Sequence, residues 1–84
     1  MRITLKLYAT LTDYLPPDAR GANLMQLEAG EGATIASILA PYGIPERLVH
    51  LVLVNGVYIP PDARASHAFR DADVLAVWPP IAGG

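Results

Sequence analysis

Arg2-Ile3-Thr4-Leu5-Lys6-Leu7-Tyr8 alternates without a fault: Ile3, Leu5 and Leu7 fall on one side of an extended chain, Thr4, Lys6 and Tyr8 on the other. Successive side chains of a strand point to opposite faces, so this is the pattern of a strand with one face buried. Near the other end, Asp73 to Trp78 is a second apolar run, and Pro79 stops it because proline has no amide hydrogen for a ladder. Both runs are long and apolar, so they are expected to lie side by side in the middle of a sheet. A crossover helix falls between them in sequence, so they are expected to run parallel.

The intervening chain supplies the remaining elements. Asn23 to Ala29 alternates again, with Leu24, Gln26 and Glu28 against Met25 and Leu27, and is expected to pair with the first strand as a hairpin. Thr34 offers a hydroxyl as helix N-cap, and Ile35, Ile38, Leu39 and Tyr42 follow at the spacing of one apolar stripe. Pro41 is expected to end or distort that helix near Ala40, with Gly43 and Pro45 confirming the stop. His50 to Val54 reads as a strand, Asn55-Gly56 as a tight turn, and Val57-Tyr58-Ile59 as a short return strand. Leu11 to Gly21, with Pro16-Pro17-Asp18, reads as a loop. The pentapeptide Pro-Pro-Asp-Ala-Arg occurs at 16–20 and again at 60–64. Turn chemistry accounts for both copies: proline sets φ and aspartate bonds back to its own backbone. One helix cannot cover both faces of such a sheet, so the fold class is α+β, with four to five strands and one face left uncovered.

Composition narrows the function. The chain has 84 residues, enough for one domain spanning 1–84, with residues 79–84 as a tail. Apolar residues make up 52% and charged residues 17%, so part of the apolar surface must face outward and could mark a partner site. With one lysine, five scattered arginines and a net charge of −2, there is no basic stripe for nucleic acid. No run reaches membrane-spanning length and the N-terminus does not resemble a signal peptide, so a soluble cytoplasmic protein is expected. Cysteine is absent, which removes disulfides, thiolate ligands and a nucleophilic thiol.

No constellation makes a catalytic centre. Gly30-Glu31-Gly32 lacks the rest of a phosphate-binding motif and reads as a loop feeding the N-cap. His50 and His67 stand far apart without cysteine, so no metal site is expected; His50 is read as a strand residue and His67 as a loop residue. Asp71-Ala72-Asp73 reads as a turn before a strand, and Ser66-His67 has no acidic third member placed by any motif.

The tail carries the functional signal. Trp78-Pro79-Pro80-Ile81-Ala82-Gly83-Gly84 begins with an aromatic anchor, stiffens at two prolines and narrows to bare backbone. Such a probe suits delivery of a terminal carboxylate into another protein's buried site. The stretch from Asp71 to Gly84 resembles the C-terminus of the small subunit of molybdopterin synthase, a family that commonly ends with an Asp-Gly-Asp turn, an apolar strand and Pro-Pro-Val-x-Gly-Gly. The order of elements, Val54-Asn55 and the overall length resemble the same ubiquitin-like sulfur-carrier group. Two departures stand out: Ala72 occupies the turn glycine's place, and Asn55-Gly56-Val57-Tyr58-Ile59-Pro60 also resembles thiamine-pathway sulfur carriers.

The resemblance implies a β-grasp fold with a free extended C-terminal tail and a carrier that is not itself an enzyme. It implies that an ATP-dependent activating enzyme adenylates the Gly84 carboxylate, next to Gly83, and that a sulfur donor such as a cysteine desulfurase or rhodanese-like protein converts it to a thiocarboxylate. The chain itself would bind no cofactor, ATP being used by the activating partner. The large subunit of molybdopterin synthase would receive the tail through Pro79, Pro80, Ile81 and Ala82. On the uncovered face, Tyr8, Ala76 and Trp78 would be the partner-binding residues. Thiazole synthesis, another thio-metabolite, or ubiquitin-like conjugation through Gly84 are the alternative fates.

Overall fold

The alternating N-terminal stretch forms strand β1, Arg2–Leu7, and its Ile3, Leu5 and Leu7 are fully buried. The computed structural model describes residues 1–80, so the expectations placed on Ile81, Ala82, Gly83 and Gly84 fall outside the described residues. Strand β2 is Leu24–Glu28, β3 is Leu51–Val54, β4 is Val57–Tyr58 and β5 is Val74–Trp78. Together they make a five-stranded sheet in the order β2-β1-β5-β3-β4. The central pair β1 and β5 is parallel, with Leu5 opposite Leu75 and Leu7 opposite Val77, as the sequence predicts. The other pairings are antiparallel.

Helix α1 is short, Ile35–Leu39. Thr34 caps it by accepting from the Ser37 N–H at 3.1 Å, while Ser37 Oγ accepts from the Thr34 N–H at 2.8 Å, a reciprocal box that satisfies two otherwise orphaned donors. Pro41 then turns the chain into a 3-10 helix, Ala40–Tyr42, which ends at Gly43 with φ +69°. Ile35, Ile38 and Leu39 reach the core, but a helix of under two turns covers only part of the sheet. The loop expected from Leu11 to Gly21 supplies more cover. A 3-10 helix over Ala9–Tyr14 buries Leu11, and Leu15 follows it into the core, joined from the far loops by Ile59 and Phe69. Leu11, Leu15 and Phe69 show no helical or strand period, which is why the pattern alone does not place them inside; Ile59, expected at the end of the return strand, falls one residue beyond β4.

The hairpin between β3 and β4 is built as Asn55-Gly56 predicts, with φ +51° and +80°, the mirror-image turn whose twist matches the strands. Asn55 does more than turn. Its N–H bonds Val74 O at 2.9 Å, its Oδ1 accepts from Val74 N–H at 2.9 Å, and its Nδ2 donates to Asp73 Oδ1 at 2.8 Å, tying the hairpin to the start of β5. Asp71 accepts from Arg2 N–H at 2.7 Å and Asp73 from Arg70 N–H at 2.8 Å, so both carboxylates are turn elements. Ala72 adopts φ +71° without glycine's freedom, its N–H held on Arg2 O at 2.8 Å.

Candidate functional site

The face of the sheet turned away from α1 is composed by strand register. Lys6 lies between Leu24 of β2 and Ala76 of β5, Ala76 lies beside Leu53 of β3, and Leu53 beside Tyr58 of β4. One row of side chains thus crosses the whole sheet. In the next row Trp78 sits opposite Leu51, and its indole stacks on the Tyr8 ring, centroids 4.1 Å apart and planes within 4°. Tyr8, Leu51, Leu53 and Trp78 are half-buried, while Tyr58 remains 52% exposed. Tyr8 and Trp78 therefore meet on the face where the strand alternation predicts them, and form a flat apolar platform.

Ala76 points to this face but is only 8% exposed, because Lys6 and Leu53 flank it. Its small side chain lets those neighbours close over it, so it offers a partner little area. Pro79 is also buried and Pro80 is exposed, so of the two prolines only the second is presented outward. Leu24, Leu51, Leu53 and Tyr58 also belong to the platform, beyond the residues the sequence predicts for it. In Leu51–Val54 the signal was present: valines take one side of the strand and leucines the other. The run is uniformly apolar, and periodicity cannot assign faces when both sides are apolar.

Charge on the platform is sparse. Lys6, the sole lysine, has no carboxylate within 4.0 Å among the described residues. At the far edge Arg2 Nε lies 3.5 Å from Glu28 Oε1, an exposed pair of little energetic weight.

The exit of β5 is held from both sides. Tyr8 N–H donates to Val77 O at 3.1 Å and His50 N–H donates to Trp78 O at 3.1 Å. His50 is thus exposed and just ahead of β3, not within it. Its role here is through its backbone. The last carbonyl before Pro79 is fixed, so the chain leaves the sheet at a defined place beside the Tyr8–Trp78 stack.

The remaining candidates serve the fold. His67 is half-buried, packed edge-on against Phe69 at 4.9 Å, with Nε2 buried and without a partner among the described residues. Burial by itself would push the Asp73 carboxyl up. The Arg70 N–H, the Asn55 amide and the charges of His67 and Arg70 outweigh it and hold Asp73 below the ordinary carboxylate range. No group of three metal-ligating side chains gathers among the described residues, and none of their helices is long and apolar enough to cross a membrane.

A sheet of this order, with a parallel central pair and one covering helix, is the ubiquitin-like β-grasp. The model of the Mut7-C ubiquitin family matches residues 1–82. The chain belongs to the Mut7-C ubiquitin family. No curated protein matches it. Among solved structures, SAMP1 from Haloferax volcanii superposes with a TM-score of 0.70 at 22% identity, all of each chain being covered. The HVO 2177 protein of Haloferax volcanii superposes with 0.73 at 23% identity, covering 100% of this chain and 87% of that one. A Pyrococcus furiosus protein assigned as molybdopterin converting factor subunit 1 superposes with 0.66 at 19% identity, covering 95% and 98%. At these identities the likeness establishes the shared fold.

Proposed function

We propose that this Mut7-C ubiquitin domain is a sulfur carrier whose working group is the α-carboxylate of Gly84. The observation that supports the reading is the exit of β5: the strand is clamped to its last carbonyl beside an aromatic platform, just ahead of Pro79-Pro80-Ile81-Ala82-Gly83-Gly84 in the sequence. A carboxylate is a poor electrophile. Attack of its oxygen on the α-phosphorus of ATP, in an activating enzyme docked on the platform, expels pyrophosphate and leaves an acyl-adenylate. The persulfide of a donor protein then attacks the acyl carbon and displaces AMP, giving an acyl disulfide; a thiol cleaves its S–S bond, forming a disulfide with the donor's sulfur and leaving Gly84 as a thiocarboxylate. Gly83 and Gly84 suit this work because a side chain there would obstruct a narrow channel. The acid–base chemistry belongs to the partners.

The acceptor we favour is the large subunit of molybdopterin synthase. Pro79-Pro80-Ile81 and the likeness to the Pyrococcus protein support that choice. The hairpin sequence from Asn55 to Pro60 supports thiazole synthesis as a second acceptor pathway. Intact-mass spectrometry of the protein from its native cell tests the carrier reading. A mass gain of one sulfur in place of one oxygen is expected, whereas branched lysine peptides ending in Gly84 would make the chain a modifier. Appending one alanine after Gly84 should abolish adenylation while leaving the unfolding free energy within the roughly ±0.5 kcal/mol scatter of surface changes. The added residue moves the carboxyl carbon by about 3.3–3.6 Å, a full reacting distance. ATP–pyrophosphate exchange at an undiminished rate would overturn the assignment of Gly84.

A further inference from the structure

The repeated Pro-Pro-Asp-Ala-Arg stretches fold alike and then diverge at one side chain. Each forms a 3-10 turn, Pro17–Ala19 and Pro61–Ala63, after a buried aliphatic residue, Leu15 or Ile59. The side chain that closes each turn is arginine, not the aspartate that turn chemistry predicts. Arg20 Nε donates to Leu15 O at 3.0 Å and Arg64 Nε to Ile59 O at 3.2 Å, in both cases five residues back. The terminal nitrogens then part company. Arg20 Nη2 stays in its own loop, on Asp13 O at 3.1 Å. Arg64 crosses to another segment, Nη1 donating to Val49 O at 3.1 Å and Nη2 to His50 O at 2.8 Å.

That crossing reaches the exit of β5. The Val49 carbonyl and the His50 N–H are two ends of one planar peptide group. Arg64 holds its oxygen, and its hydrogen goes to Trp78 O at 3.1 Å. A permanently charged donor on the carbonyl polarises the amide and strengthens the bond its N–H makes, while the second bond, to His50 O, stops the segment from swivelling. We propose that Arg64 is a positioning residue, which acts through the Val49–His50 peptide to fix the Trp78 carbonyl, and not its ring, and so the line along which the chain leaves β5. Its bearing on catalysis rests on the reading of Gly84 as the working group. Arg20 makes the same turn without touching the exit, and is therefore the internal control.

Arg64→Ala, Arg64→Lys and Arg20→Ala, made in the full chain, test this. In Arg64→Ala the His50 backbone amide should exchange with solvent roughly 10-fold faster or more relative to global opening, with no such change in Arg20→Ala. In ATP–pyrophosphate exchange with the activating enzyme, Arg64→Ala should lower kcat about 10-fold while KM for the carrier stays within about twofold, since the platform that docks is intact and only the delivered carboxyl is misplaced. Arg64→Lys reaches fewer carbonyls and should fall between; it carries the test if the alanine variant does not fold. Unchanged His50 exchange and kcat in the Arg64 variants, or equal losses in Arg20→Ala, would reduce Arg64 to a turn stabiliser. Failure of the unaltered protein to be adenylated would instead remove the Gly84 reading, and the His50 exchange would then decide whether Arg64 positions the exit.

Discussion

Val77 and Trp78 are neighbours in β5 and do opposite work. Val77 is fully buried beneath α1 and the 3-10 segments, locked among Leu7 and Val52 across its strand pairs, whereas Trp78 lies on the other side of the sheet against Tyr8. The same division runs along β1, β2 and β3, while both residues of the edge strand β4 are exposed. One face is covered by loops and a helix of under two turns; the other is covered by nothing among the described residues except its own neighbouring side chains. The contrast separates what holds the domain together from what it can present. A substitution on the first face should act on stability, and one on the second on recognition.

The hardest test of that division is a charge on each face. Leu5→Asp should unfold the domain, because a buried, unpartnered carboxylate costs several kcal/mol or more. That is a large share of the roughly 4–13 kcal/mol expected for a chain of this length. Loss of the cooperative thermal transition and of dispersed amide resonances is the expected readout.

Ala76→Asp probes the boundary between the two classes. Its side chain faces outward yet is 8% exposed, so it should cost about 1–3 kcal/mol, less than Leu5→Asp because Lys6 lies alongside. Chemical denaturation would measure it, and a cost equal to that of Leu5→Asp would erase the distinction between faces. Trp78→Lys should cost about 0.5–1.5 kcal/mol through loss of the Tyr8 stack, while weakening capture by the activating enzyme far more. A titration of binding beside a thermal melt separates the two effects.

The smallest effect belongs to the turn that launches β5. The carboxyl of Asp73 is depressed in the folded state, so it contributes stability above its unfolded pKa of about 3.9, and this is lost as pH falls through the folded value. Asp73→Asn keeps an acceptor for the Arg70 N–H but no titrating group. Melting temperature should therefore fall less steeply below about pH 4 in the variant than in the parent. Identical acid limbs would show that the charge of Asp73 adds nothing to the turn.

Much of this architecture is legible in the chain because it rests on local periodicity. The alternation of Arg2–Tyr8 defines β1, the cap at Thr34 and the proline at 41 bracket α1, and Asn55-Gly56 sets its hairpin. The tail motif is equally local, since it depends on residue types in a row. Leu11, Leu15 and Phe69 were not legible as core: none lies in a strand or α-helix whose period would mark it, and only the packed fold brings them under the sheet, while Ile59 sits just past the return strand expected to hold it. The platform was half legible. Tyr8 and Trp78 follow from counting along two strands, but Leu24, Lys6, Leu53 and Tyr58 join one row only once five strands have fixed registers.

The repeated pentapeptide shows the same limit in miniature. Its sequence determines a proline-led turn in both places, because proline restricts φ wherever it stands. What each arginine then grips depends on which carbonyls lie within reach. Arg64 meets the Val49–His50 peptide because the β3–β4 hairpin folds its segment back there, Ile59 N–H donating to Val52 O at 2.9 Å, a contact between residues 14 and 15 positions apart, while Arg20 finds only its own loop. Conformational preference is carried by the residue itself; a hydrogen-bond partner distant in sequence is supplied by the tertiary fold.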